Sequence, residues 1–388
     1  MLWTGAFLSS VGTWIQDTAM NWYIHERLRN PVYLGLRSFS GEAPLMAFML
    51  VGGVAADRIS RRGILVTSQF FQMAMALALA ALYGFDRLGI GAIVAIAFLT
   101  GLAQSQSAPT YQAVLPSLVP KELIPKAVAL NALQFNLSRA IGPAIAGVIL
   151  ATAASGTGAC FFVNALSFLA VIFALVRIDL PPVASATHES LSASLKAGLR
   201  HVVSSPTLST LTLLGAVGSF LAFPLITYLP VVAGDVLHAG ARGYSLLLSS
   251  LGVGAILGAL TTAHRGHVPG RGRLLLLAFV GYGTGALCAV LSPWLAVSML
   301  FLFLAGFALT TAFSTVNSLV QEHAPNEMRG RVISIFGLAF RGGNPLGSLV
   351  AGVLVKELGA PAVMGAFAVT LALFAVAMRM RHAGLREL

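Results

Sequence analysis

Charge is what this chain has least of. Only 10% of its 388 residues are Asp, Glu, Lys or Arg, against about a quarter in soluble domains, and mean hydropathy is +0.85. That scarcity excludes an ordinary water-soluble fold. Cysteine is as rare: Cys160 and Cys288 both fall inside apolar runs, so they read as small core residues and no disulfide framework is expected. All eight histidines lie in loops or at the ends of apolar runs, which leaves no mid-membrane imidazole for a proton relay. His264 and His267, two ligands in an arginine-rich loop, make a poor metal site. No P-loop and no Ser/His or H-E-x-x-H cluster is visible, so neither ATP drive nor an embedded enzyme is expected, and no cofactor is expected either.

What is present is apolar length. A helix needs about 20 apolar residues to cross a bilayer, and twelve runs meet that measure, near 3–25, 33–56, 63–84, 88–110, 126–150, 157–178, 207–234, 242–264, 271–291, 293–316, 328–354 and 359–380. They are continuous and rich in Leu, Ala and Gly with no period-2 alternation, so they read as helices rather than barrel strands. The expected class is an all-α integral membrane protein. The longest loop, 179–206, separates a six-helix bundle over 1–178 from another over 207–388. Within it Leu191, Leu195, Leu199 and Val202 recur at helical spacing, which predicts a short amphipathic linker helix on the cytoplasmic leaflet.

The net charge of +11 has a topological reading. Loops on the side of Arg58 hold 16 of the 24 Lys and Arg, and those on the opposite side hold five. By the positive-inside rule the first side, with both termini, is cytoplasmic. A nucleic-acid patch is not expected. Met1 stands at the edge of the first run with no basic leader and no A-x-A-like site behind it, so no removed signal peptide is expected.

The halves repeat each other. "LSRAIGPAIAGVIL" in run 5 aligns with "AFRGGNPLGSLVAGVL" in run 11, pairing Arg139 with Arg341 and Pro143 with Pro345. "SSVGTWI" in run 1 aligns with "GAVGSFL" in run 7. Two related halves are the design expected of alternating access around a site near the midplane.

Charge is concentrated in "GGVAADRISRRG", Gly52 to Gly63. With Gly53, Asp57, Arg58, Arg61 and Arg62 this stretch resembles the loop motif of the major facilitator superfamily, G-x-x-x-D-R-x-G-R-R, with Ser60 in place of the second glycine. "LPSLVPKELIPKAVALNALQFNLSRAIGPAIAGVI" is similar to the bacterial drug and siderophore exporters of that superfamily, the enterobactin-exporter-like and macrolide-efflux-like branch, and the likeness covers nearly the whole chain. It implies the major facilitator fold and a secondary active transporter exporting a small amphiphilic molecule, by proton-coupled antiport, from a cell membrane. The expected partners are the substrate, protons and the lipid bilayer, with the protein acting as a monomer. A lipid or lysolipid flippase, or a non-transporting sensor on the same fold, stays open as the alternative.

The resemblance also assigns roles. Asp57 closes the cytoplasmic side by meeting a helix N-terminus or an arginine of the other half, with Gly53, Arg58, Arg61 and Arg62 completing the gate; a purely topogenic loop is the competing reading. Gly142, Pro143 and Gly147 resemble the antiporter motif of the fifth span, although Ala146 replaces a glycine and ordinary close packing would use the same residues. The arginine usual in the fourth span is missing, since "LTGLAQSQSAPTYQ" offers only Gln104, Gln106 and Ser107.

Ionisable groups inside the runs are the most informative, because each costs about 2.5–3.5 kcal/mol at a helix centre unless it finds a partner or water. Asp17, Glu42, Arg139 and Arg341 qualify; Arg37 is close enough to an end to snorkel. Asp17 and Glu42 are the proton-coupling candidates, Asp17 first. Helical spacing gathers Ser10, Thr13, Asp17 and Asn21 on one face, Asn131, Gln134, Ser138 and Arg139 on another, and Thr310, Ser314, Asn317 and Gln321 on a third. A fourth holds Ser334, Gly337, Arg341, Asn344 and Ser348. Such faces either line a watery cavity or pack against each other. On the cavity reading Asn21, Gln104, Asn131, Gln134, Arg139, Asn317, Arg341 and Asn344 meet the substrate.

Overall fold

The computed structural model describes residues 1–51, 60–153, 155–178, 191–265 and 270–381. Among them there is no strand, and helix follows helix: α1 (Leu2–Tyr23), α2 (Pro31–Val51), α3 (Arg61–Gly84), α4 (Ile90–Val114), α5 (Ile124–Thr152), α6 (Gly156–Arg177), α7 (Leu191–Ser204), α8 (Pro206–Ala222), α9 (Pro224–Val231), α10 (Gly240–Arg265), α11 (Arg271–Leu291), α12 (Leu295–His323), α13 (Arg329–Leu358) and α14 (Ala360–Arg381). Among the described residues ten helical segments are long and apolar enough to cross a membrane. Helices α1 and α2, of 22 and 21 residues, carry Asp17 and Arg37 with Glu42 and fall outside that group. The seventh run is broken at Phe223, because Pro224 has no N–H to continue α8; α9 resumes at once and ends in a π-helical turn, Val232–Val236.

Two compact units emerge. The first holds residues 1–29, 40–187 and 240–249, and the second holds 30–39, 188–239 and 250–388. The segments 30–39 and 240–249, at the starts of α2 and α10, belong to the second and the first unit respectively.

In the first unit α1 lies between α5 and α6, and α3 lies between α4 and α6. Helix α6 shows what sorts its faces: Phe161, Asn164, Ala165, Phe168 and Ile172 are buried, whereas Phe162, Leu166, Leu169, Phe173 and Val176 are exposed at spacings of 4, 3, 4 and 3. A continuous exposed stripe of large apolar residues belongs against lipid tails. In the second unit α11 packs on α12 and α14, and α13 packs on α8. The predicted linker helix forms as α7 and docks on the start of α13, where Gly198 touches Arg331, with Val202 buried and Leu199 exposed.

Candidate functional site

Helices α1 and α5 of the first unit run parallel, and their register is written in side chains. Trp3 Nε1 donates to the Leu130 carbonyl (3.0 Å), Gln134 Nε2 donates to Ser10 Oγ (3.1 Å), and the Arg139 guanidinium lies over the Trp14 ring at 5.8 Å. Gly142 makes the approach possible, since a Cβ there would run into Trp14. One turn beyond Trp14, Asp17 is half-buried on the face that also carries Thr13 and Asn21. Arg139 is half-buried as well. An indole face attracts a guanidinium by about 0.5–2 kcal/mol, more as water is removed. The structure thus holds the fork of Arg139 on an aromatic shelf one turn from a carboxylate.

Several polar residues expected at a cavity are engaged with neighbours. Gln134 is buried, bonded to Ser10 through its nitrogen, while its Oε1 has no hydrogen-bond partner. Ser138 donates to the Gln134 carbonyl (2.9 Å) and reaches the Phe7 carbonyl (3.5 Å). Gln104 on α4 points to Gln72 on α3, Nε2 to Oε1 at 3.5 Å. Each of these bonds joins a polar side chain to a neighbouring helix or to the preceding turn of its own helix. Asn131 and Asn21 are half-buried. Glu42 is half-buried on α2, two residues before Pro44.

The other fifth-span residues sit at close helix contacts. Pro143 is buried inside α5, and a Cβ on Gly147 would come within 2.6 Å of the Ser245 side chain on α10. Gly53, Asp57 and Arg58 lie outside the described residues. Arg61 opens α3, and Arg62 donates to the Ile178 carbonyl at the end of α6. Ser60, where the superfamily motif has glycine, caps α3: its hydroxyl oxygen accepts from the Gly63 N–H at 3.1 Å. The departure therefore has a local reason, since Ser is among the best N-cap residues.

The second unit is built differently. Asn344 accepts a bond from Ser348 (3.2 Å), whose hydroxyl lies 3.1 Å from Thr227, and Tyr228 donates to the Ser348 carbonyl (2.7 Å). Arg341 is exposed. Beside it, Phe340 meets Phe313 edge-on at 4.8 Å and Phe223 at 5.8 Å, and Phe223 stacks on Phe313 at 5.3 Å. Phe279 and Phe336 complete the cluster from behind. Phe223, Phe313 and Phe340 are only half-buried. This aromatic surface is absent from the expectations above because its members come from the break between α8 and α9, from α11, from α12 and from α13, and only Phe336 and Phe340 share a helix at i, i+4. Asn317, on α12, is exposed.

A family model described as transmembrane secretion effector, of the major facilitator superfamily, matches residues 1–387. The chain is 27% identical to the Staphyloferrin A transporter of Staphylococcus aureus, covering 92% of this chain and 89% of that one. It is 25% identical to the multidrug efflux pump Tap of Mycolicibacterium fortuitum, over 96% and 92%, and 24% identical to the enterobactin exporter EntS of Citrobacter koseri, over 90% and 83%. Among solved structures, an inward-facing, occupied bacterial homologue of the human lysosomal transporter Spinster superposes with a TM-score of 0.76 at 15% identity, over 99% and 97% of the two chains.

Proposed function

The chain belongs to the major facilitator superfamily, in its transmembrane secretion effector family, and on that premise we propose that it exports a small amphiphilic molecule across the cell membrane by alternating access, with protons moving inward in exchange. It is a multi-pass membrane transporter, not an enzyme. The finer reading takes all twelve apolar runs as spans in two six-helix halves, with both termini cytoplasmic and the monomer as the working unit. Export is supported by relatives that include an efflux pump and an exporter.

The observation that carries the coupling is the half-buried Asp17, one turn along α1 from the Trp14 that holds Arg139. A carboxylate that works in such a cycle needs a pKa that conformation can move, raised by desolvation and lowered by a nearby guanidinium. Asp17 alternates between a protonated form and an ionised form facing a cation such as Arg139, and Glu42 is second in line. Arg139 and Arg341 each take an anionic group of the substrate, and the half-buried Phe223, Phe313 and Phe340 take its apolar body. Asp57, Gly53 and the arginines at 58, 61 and 62 gate the cytoplasmic side: Asp57→Asn lowers transport at unchanged expression and enriches the inward-facing form, measured as cysteine accessibility of the cavity.

Proteoliposomes with an imposed pH difference test the reading. Gradient-driven efflux that disappears in Asp17→Asn while downhill exchange persists supports it; full accumulation by the variant removes Asp17 as the coupling site. Competition of efflux by lysolipid would replace drug-like export with lipid flipping.

A further inference from the structure

At one end of the second unit the structure contains a pocket of about 350 Å³ lined by Ser314, Asn317, Ser318, Gln321, Glu322 and Arg329. Every lining side chain is polar. Helix α12 supplies five of the six at spacings of one turn, and α13 brings Arg329 back over them after the short turn at Pro325–Met328. The depth follows from length. Helix α12 has 29 residues, about 43 Å at 1.5 Å each, against a hydrocarbon core of about 30 Å. It opens directly into apolar sequence at Leu295, so the hydrocarbon ends near Ser314 and the pocket lies in the headgroup and water layer.

Its charges do not cancel. Glu322 pairs with Arg271, whose other nitrogen donates to Ser318 at 3.3 Å. That ion pair closes one wall and consumes both of its members. Arg329 has no hydrogen bond or ion pair among the described residues, and neither do Asn317, Gln321 and Ser314. One uncompensated guanidinium fork, two amides and a hydroxyl thus face one small volume. A fork of this kind matches the two oxygens of a carboxylate or phosphate, and flanking amides and hydroxyls can satisfy its remaining lone pairs and any neighbouring hydroxyl. With polar side chains at every lining position, the pocket favours a hydrophilic ligand.

We propose that this pocket is a binding site for an oxyanion, a carboxylate or phosphate carried by a small hydrophilic molecule or by a lipid headgroup, held chiefly by Arg329 with Asn317 and Gln321. It shares no residue with the proposed Asp17 and Arg139 site, and its existence does not depend on the direction or coupling of transport. The test is binding by purified full-length protein, not flux. Citrate and inorganic phosphate are titrated in neutral detergent at constant ionic strength, and retention of phosphatidylglycerol over phosphatidylcholine is measured in mixed-lipid nanodiscs. Arg329→Gln is expected to weaken the anion that binds by at least tenfold, and the double variant Asn317→Leu, Gln321→Leu by several-fold. Arg273→Gln, an exposed arginine of α11 outside the pocket, should leave it unchanged. Arg329-dependent binding of citrate or phosphate alone identifies a soluble ligand; Arg329-dependent retention of phosphatidylglycerol alone identifies a headgroup. Should Arg329→Gln fail to fold, the double variant decides. Binding that ignores the pocket variants, or follows Arg273 equally, or is absent for all three probes, overturns the proposal.

Discussion

The two sequence repeats put opposite chemistry on equivalent positions. In the first unit Ser10, Asp17, Gln134 and Ser138 carry hydrogen bonds or charge. Extending the alignments of run 1 with run 7 and run 5 with run 11, their counterparts in the second unit are Ala216, Phe223, Phe336 and Phe340. Neither Ala216 nor Phe336 can make the side-chain hydrogen bond that joins Ser10 to Gln134; Phe336 instead packs against the neighbouring Gly215, and the place of Asp17 is taken by a ring stacked on Phe313. Duplication preserved the backbone plan, and the side chains diverged. On the proposed reading, proton coupling through Asp17 belongs to the first unit and apolar recognition through Phe223, Phe313 and Phe340 to the second, so variants at paired positions should fail in different ways.

The largest effect is expected at Asp17. Asp17→Asn should abolish uphill efflux in the imposed-gradient assay, whereas Phe223→Leu at the paired position should leave the pH dependence of efflux intact and alter only substrate KM. A loss of coupling in both variants would break the comparison.

Arg139→Lys comes next. It keeps the charge but loses the planar fork, so transport should fall about tenfold, the consequence of losing roughly 1.4 kcal/mol from one forked contact. Thermal stability should change far less. Arg341→Lys, on a more exposed arginine, should cost less in the same flux assay.

A smaller effect is expected from the aromatic surface. Phe313→Leu removes edge and stacking contacts to Phe223, Phe279 and Phe340, each worth about 0.5–1.5 kcal/mol beyond its area. KM for an apolar substrate should rise several-fold with the proton dependence unchanged. The smallest change is Ser10→Ala, which leaves the Gln134 amide without its partner. Interhelical hydrogen bonds in membranes average about 0.6 kcal/mol, so Tm should drop by only about 1–2 °C. A much larger drop would mean that this network, and not the aromatic cluster, is the more strongly held part of the molecule.

How much of this was legible beforehand varies with the kind of question. Each of the twelve apolar runs contains a helix, because length and hydropathy depend on the residues of one segment. The linker helix was legible for the same reason. Burial partners were not. Gln104, Gln134 and Asn344 are among the expected substrate-cavity residues, and each has a hydrogen bond to a neighbouring helix or turn. Periodicity shows which residues share a face and is silent about what that face meets.

The sequence by itself determined that this is a helical membrane protein with few ionisable groups inside its apolar runs. Those properties come from the cost of placing charge and unpaired backbone in hydrocarbon, which every segment must meet alone. Only the tertiary structure decided that Arg139 rests on Trp14, that separate helices pool their phenylalanines, and that Arg329 returns beside α12 to line a polar pocket. Those contacts join residues from different helices, and which side chains meet is set by helix register and crossing, quantities that no single segment contains.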